Sequence, residues 1–211
     1  MRELYGHPFS SYTWKALIAL YEAGTPFQFR NVEDAGVEAE LKSHWPTGKF
    51  PLLVDDGTPI MESSIIIEHV APNLMPADRN ASREVRMLDR IFDNAVMSPM
   101  QAVVAEHLPF ITETPDANRI ARARTALDAI YPWLDARLAG REWAAGDAFT
   151  LADCSAAASL FYADWVQPIS AELQNLKQYR ARVLARPSVA RTVDEARPYR
   201  GYFPLGAPDR D

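Results

Sequence analysis

The chain has 211 residues, 48% of them hydrophobic and 24% charged, with a formal net charge of −6. That length holds one large domain or two small ones, and that balance can bury a core, which excludes a disordered or fibrous protein. The acidic total, with no Lys/Arg run, argues against nucleic acid and against an anionic membrane as partner.

The single cysteine, Cys154, can form no internal disulfide and sits in no CxxC or metal-ligand cluster. It reads as a small buried helix residue instead of a reactive thiol, and no metal is expected. No apolar run approaches the roughly 18 residues of a membrane span. The opening MRELYGHPFSS lacks the apolar core of a signal peptide, so the expected location is the cytoplasm.

In chain order, Glu3-Leu4-Tyr5 predicts a short strand ending at Gly6, then a turn at His7-Pro8-Phe9. Trp14, Leu17, Ile18 and Tyr21 fall on one face of a helix predicted over Ser11–Ala23 and stopped by Gly24. A strand over Phe27–Asn31 and a short helix near Val37–Ser43 follow. Pro51–Val54 and Pro59–Met61 pair as a hairpin around Asp55-Asp56-Gly57. Glu62-Ser63-Ser64 then opens a helix carrying Ile65, Ile66, Ile67 and Val70. The order β-α-β-α-β-β-α fits one small mixed sheet with helices on its faces.

Asn73–Asn80, with Pro76 and Asp78, reads as a linker. Beyond Ala81 the pattern is helical: Ser82–His107, Ala117–Ala139, Thr150–Trp165, Ala171–Ala185 and Ser188–Ala196, punctuated by prolines. The partly apolar tail Gly201–Gly206 is expected to pack against a surface. The domain division is 1–76, α/β, and 82–211, all-α.

Four segments carry chemistry. In Gly48–Val54, a proline opening a strand need not donate to the ladder. A cis Phe50–Pro51 bond would turn the Phe50 backbone outward to pair with an extended peptide; an ordinary trans proline is the alternative. In Glu62-Ser63-Ser64, helix-start N–H groups and the Ser63 hydroxyl suit a carboxylate while Glu62 suits an ammonium, together an α-amino acid head; simple capping by Ser63 competes equally. In His7–Ser11, a hydroxyl beside free N–H groups could hold a thiolate, although Ser11 reads first as an N-cap. Thr150 and Asp153, three apart, form a capping box with a structural role.

These segments in this order resemble the cytosolic glutathione S-transferase family over about Glu3–Phe203. GKFPLLVDDG followed by MESSIIIEHV is similar to its cis-proline strand, hairpin and glutathione-binding helix. LDAIYPWLDARLAGREWAAGDAFTLADCSAA is similar to its central C-terminal helices, and LYGHPFSSYTWKALIAL to the serine-type active-site region of bacterial-type members. The resemblance implies a thioredoxin-like N-terminal domain, a helical-bundle C-terminal domain, a homodimer and glutathione as co-substrate, in the service of detoxification. It implies a cis Pro51, backbone pairing of Phe50 with the cysteinyl unit, and Glu62 and Ser63 on the γ-glutamyl end. Ser10 would stabilise the thiolate, with Ser11 and Tyr12 as local alternatives and Tyr5 ranked below them. The chain departs from the family where Trp14 replaces a frequent arginine, with Lys15 next. It also lacks a basic residue over Gly36–Glu40, leaving Lys42, His44 or Lys49 to hold the glycyl carboxylate.

The implied reaction is attack of the thiolate on an apolar electrophile lying between the domains. Expected pocket walls are Phe9, Met97, Met100, Val104, His107, Phe161 and Trp165, and Met87, Ile91 and Phe92 are candidates for the dimer contact. Two alternatives stand beside conjugation. One is a glutathione-binding or scaffold protein without turnover; the other is a glutathione-dependent isomerase, dehalogenase or peroxidase.

Overall fold

The computed structural model describes residues 1–211. Strand β1 (Arg2–Gly6) is followed by helix α1 (Ser11–Ala23), β2 (Gln28–Asn31), α2 (Val37–His44), the hairpin β3 (Leu52–Asp55) and β4 (Thr58–Met61), and α3 (Ser63–Val70). The sheet order is β2-β1-β3-β4, with β1 parallel to β2 and antiparallel to β3. Leu4 pairs with Leu53 and Tyr5 with Leu52, so neighbours along each strand face opposite sides. Leu4 and Leu53 join the large core under α1 and α3. Tyr5, Leu52 and Val54 pack with Val37 and Leu41 of α2 on the other side. This is the expected thioredoxin-like arrangement.

Two glycines set the geometry of α1. A side chain on Gly6 would meet Thr13 at 2.6 Å, so only glycine lets β1 run this close beneath the first turn. Gly24 closes the helix at φ 60 with its N–H returned to Leu20 and Tyr21.

The second half is helical, as expected: α4 (Arg79–Ile91), α5 (Ser98–Ala105), α6 (Ala117–Leu138), α7 (Leu151–Val166), α8 (Gln174–Leu184) and α9 (Pro187–Ala196). Three details correct the sequence reading. First, α4 begins at Arg79, inside the predicted linker, because Asp78 accepts from the N–H groups of Asn80 and Ala81. Second, the predicted helix Ser82–His107 is interrupted by a π-helical turn over Phe92–Met97. Pro99 lacks an N–H and its ring would crowd the carbonyl of Ala95. The widened turn lets the Ser98 N–H reach Asp93 O, and the Ser98 hydroxyl donates to the same oxygen at 2.9 Å. Third, α8 starts at Gln174 and not Ala171, where Asp135 of α6 accepts from the Leu176 N–H at 2.9 Å.

Every residue of α7 is buried. Its Ala- and Ser-rich run lets α1 approach closely on one side and α4 on another. The capping box forms as read: Asp153 accepts from Thr150 N–H and Ala144 N–H, each at 2.8 Å, and from Tyr179 Oη at 2.7 Å. Cys154 is fully buried within this helix. No helix is long and apolar enough to cross a membrane.

Candidate functional site

Two cavities meet where the sheet domain faces the helices. The smaller, about 320 Å³, lies between Pro51, Met61, Glu62 and Ser63 on one wall and Arg90, Asp93 and Asn94 on the other. The larger, about 670 Å³ and mainly apolar, lies between the Phe9–Tyr12 turn and Met100, Gln101 and Val104 of α5. Tyr12, Lys49 and Phe50 border both cavities.

Each element delivers its residue for a local reason. Ser10 is the N-cap of α1, its Oγ accepting from the Thr13 N–H at 3.3 Å, and it faces the larger cavity. Ser11, read as a cap, instead lies one residue inside the helix, buried, its Oγ accepting from Gln101 Nε2 at 3.4 Å. The β1–α1 turn is fixed from three sides: the Phe9 N–H donates to His7 Nδ1, Trp14 Nε1 donates to Pro8 O, and Tyr162 Oη donates to Phe9 O. Tyr5 is excluded from both cavities, because its ring lies on the α2 side of the sheet with its hydroxyl 3.4 Å from Glu40.

The Phe50–Pro51 bond is cis. Lys49 is exposed at the junction of the cavities, with no carboxylate beside its ammonium. Glu62 occupies the cap position of α3, displacing the expected Ser63 cap, and its side chain makes no capping bond. It is held at φ 69, ψ 117, in the region that side chains avoid. Ser63, the first residue of α3, is buried at the floor of the smaller cavity. The structure therefore brings Lys49, Phe50, Pro51, Glu62 and Ser63 together, and places Ser10 and Ser11 on the adjoining cavity.

Beside this cavity lies a buried charge cluster, with Asp93 and Arg90 forming part of the cavity wall. Lys15 Nζ, fully buried, contacts Asp89 Oδ1 at 2.9 Å and Asp93 Oδ2 at 2.7 Å. Ser64 donates to Asp89 at 2.9 Å, and Arg90 reaches Asp93 at 2.7 Å. Burial pushes the Asp93 carboxyl above the usual range, only partly opposed by Lys15. Burial acts on Asp89 too, but the Lys15 charge and hydrogen bonds from Ser155, Lys15 and Arg90 outweigh it and hold Asp89 low. Tyr12 is raised by burial and by the Asp93 charge, so its phenol keeps its proton at neutral pH.

Of the expected cavity walls, Phe9, Met100 and Val104 line the larger space. Met97, Phe161 and Trp165 are core residues, and His107 turns its Nδ1 to Val103 O at 2.9 Å. Phe92 is fully buried and unavailable to a partner, whereas Met87 is exposed. Arg90, Asp93 and Asn94 were not anticipated. Arg90 and Asp93, three apart on a helix, look in sequence like an ordinary solvated pair. The tail packs as expected: Phe203 meets Trp165 at 5.1 Å between ring centroids, Tyr202 stacks on His7 at 5.6 Å, and both close one side of the larger cavity.

Two family models match the chain: "Glutathione S-transferase, N-terminal domain" over residues 4–73 and "Glutathione S-transferase, C-terminal domain" over residues 93–187. FtsZ-localized protein A of Caulobacter vibrioides is 28% identical over 200 residues, 88% of each chain. Glutathione S-transferase 3 of Zea mays is 27% identical over 208 residues, 90% of this chain and 92% of that one. The crystal structure of a glutathione S-transferase from Methylobacillus flagellatus with glutathione bound superposes with a TM-score of 0.78. It is 25% identical, covering 91% of this chain and 98% of the other.

Proposed function

Because the chain belongs to the glutathione S-transferase family, we propose that it binds glutathione in the smaller cavity and directs the thiolate into the larger one to attack an apolar electrophile. The observation that carries this reading is the meeting of the two cavities at Phe50, Lys49 and Tyr12, beside the start of α1. A polar space with Glu62 and Ser63 suits the γ-glutamyl head. An apolar space with Phe9, Met100 and Val104 suits the second substrate. Lys49 suits a carboxylate of the tripeptide.

The chemistry asks little of the protein. A free thiol with a pKa near 8.5 is mostly protonated at neutral pH. Lowering it by about two units takes roughly 2.7 kcal/mol of preference for the anion. A hydrogen bond to a charged group contributes about 1.5–3 kcal/mol, and a helix N-terminus about 0.3–1 kcal/mol. Ser10 and the first turn of α1 can supply that sum. The thiol gives its proton to solvent, the sulfur forms a bond to the electrophilic carbon, and the leaving group departs with its electron pair. Ser10 donates a hydrogen bond throughout and forms no covalent bond.

Calorimetric titration with glutathione and S-hexylglutathione tests the binding half of this reading. Tighter binding of the hexyl form is expected, because its chain enters the larger cavity; no binding of either overturns it. Ser10→Ala is expected to lower conjugation of an aryl halide at neutral pH by about 10- to 100-fold while changing glutathione affinity little. A second reading, a binding or scaffold role without turnover, draws on the relative named FtsZ-localized protein A. It predicts glutathione binding with no turnover of aryl halides, hydroperoxides or alkyl halides.

The family's dimeric habit is carried here by exposed Ile65 on α3 and Met87 on α4. These helices are tied together by Arg86 and Glu68 at 2.7 Å. Light scattering should return twice the 23.6 kDa chain mass.

A further inference from the structure

A thiol bound as proposed must pass from the smaller cavity into the larger, and only Tyr12, Lys49 and Phe50 border both. Phe50 offers backbone groups there, and Lys49 an exposed ammonium. Tyr12 offers the one hydroxyl. The two serines beside it face the larger cavity alone, Ser10 Oγ accepting from the Thr13 N–H at 3.3 Å and Ser11 Oγ from Gln101 Nε2 at 3.4 Å. We propose that the Tyr12 phenol is a second hydrogen-bond donor to the glutathione sulfur, acting with Ser10; this rests on the reading of the two cavities given above.

The surroundings of the ring fit a donor. Tyr12 is half-buried at the first turn of α1, and the ammonium of Lys15 lies 5.8 Å from its ring centroid. Ser98, just past the π-helical turn, lies within hydrogen-bonding reach of the Tyr12 oxygen. Its hydroxyl can donate either there or to Asp93 O, and donation to Tyr12 leaves the phenolic proton free for the sulfur. The charged groups facing the ring are Asp93 and Glu62 on the acidic side and Arg90 and Lys15 on the basic side. Burial and the Asp93 charge keep the phenol protonated, and a neutral phenol donates where a phenolate cannot.

The test titrates the thiol of bound glutathione by its thiolate absorbance, which needs no turnover, on the full chain and on Tyr12→Phe, Ser10→Ala and the double variant. Phenylalanine keeps the ring, so the packing survives, and a thermal melt checks it. Tyr12→Phe is expected to raise the bound thiol pKa by about one unit. Conjugation at pH 6.5 should then fall about tenfold, with near-recovery at pH 9, while glutathione affinity changes less than threefold. The Ser10→Ala shift should add to it. A thiol titration and a rate profile that superimpose on those of the unaltered chain would overturn the Tyr12 assignment and leave the Ser10 reading standing. Absence of glutathione binding in the unaltered chain would overturn both.

Discussion

Lys15 and Asp93 form a contact of 2.7 Å across the boundary between the sheet domain and the helices, and the lysine side chain has no exposed surface. The ammonium bridges two buried carboxylates, Asp89 and Asp93, which Arg90 also contacts beside the smaller cavity. Removing Lys15 leaves the two carboxylates buried with only the half-exposed Arg90 as counter-charge. Lys15→Met is expected to cost about 3–5 kcal/mol of stability, read by urea unfolding. The triple replacement of Lys15, Asp89 and Asp93 by apolar residues of similar volume should cost much less than that single change. If Lys15→Met unfolds at the unaltered urea midpoint, the cluster does not hold the two halves together.

Glu62, whose carboxylate is proposed for the γ-glutamyl head, stands on an unfavourable backbone, φ 69. Glycine adopts that conformation freely. Glu62→Gly should therefore melt no lower than Glu62→Ala, while both lose glutathione affinity by about tenfold or more, the scale of one charged hydrogen bond. An unchanged dissociation constant in both variants would remove Glu62 from the γ-glutamyl site.

Glu22 of α1 accepts from Arg186 at 2.6 and 2.7 Å, joining α1 to the start of α9. Burial works to raise its carboxyl, but bonds from Arg186 and Ser188 prevail and its pKa falls below the ordinary 4.5. A carboxyl depressed on folding stabilises the fold above its unfolded pKa, and that contribution is lost as pH falls through the folded value. Glu22→Gln is expected to lower the melting temperature at pH 7, with the gap to the unaltered chain closing as pH drops below about 4.5. A gap that stays constant down to pH 3 would contradict this.

Val104 lines the larger cavity from α5 and takes no part in the smaller one. Val104→Trp should fill that space. Glutathione affinity is expected to stay within about threefold, and S-hexylglutathione should lose its advantage, since each buried CH₂ contributes about 0.8 kcal/mol. Retention of the hexyl preference would place the second substrate elsewhere.

Much of the sheet domain could be read directly because its signals are local. Asp55-Asp56-Gly57 specifies a hairpin, and Gly24 a helix end, whatever surrounds them. The helical half was legible in period but not in its irregularities. The π-helical turn is announced only by Pro99, and a proline alone does not say whether a helix ends, kinks or widens. The start of α8 depends on Asp135, some forty residues away. The contribution of Arg90 and Asp93 to the smaller cavity is invisible for the same reason: it arises from how the end of α4 and the π-helical turn after it lie against α3, and no local pattern encodes it. Lys15, noted only as following a missing arginine, becomes the central buried cation once α4 and α7 close over it.

The burial of α7 has a further consequence. Its Cys154 is the one thiol in the chain, and burial drives its pKa well above the usual value. The chain thus keeps its one sulfur out of reach of electrophiles in solution. Irreversible alkylation at this position demands that the central helix come apart, so the rate at which a maleimide consumes Cys154 is a clock for whole-molecule opening.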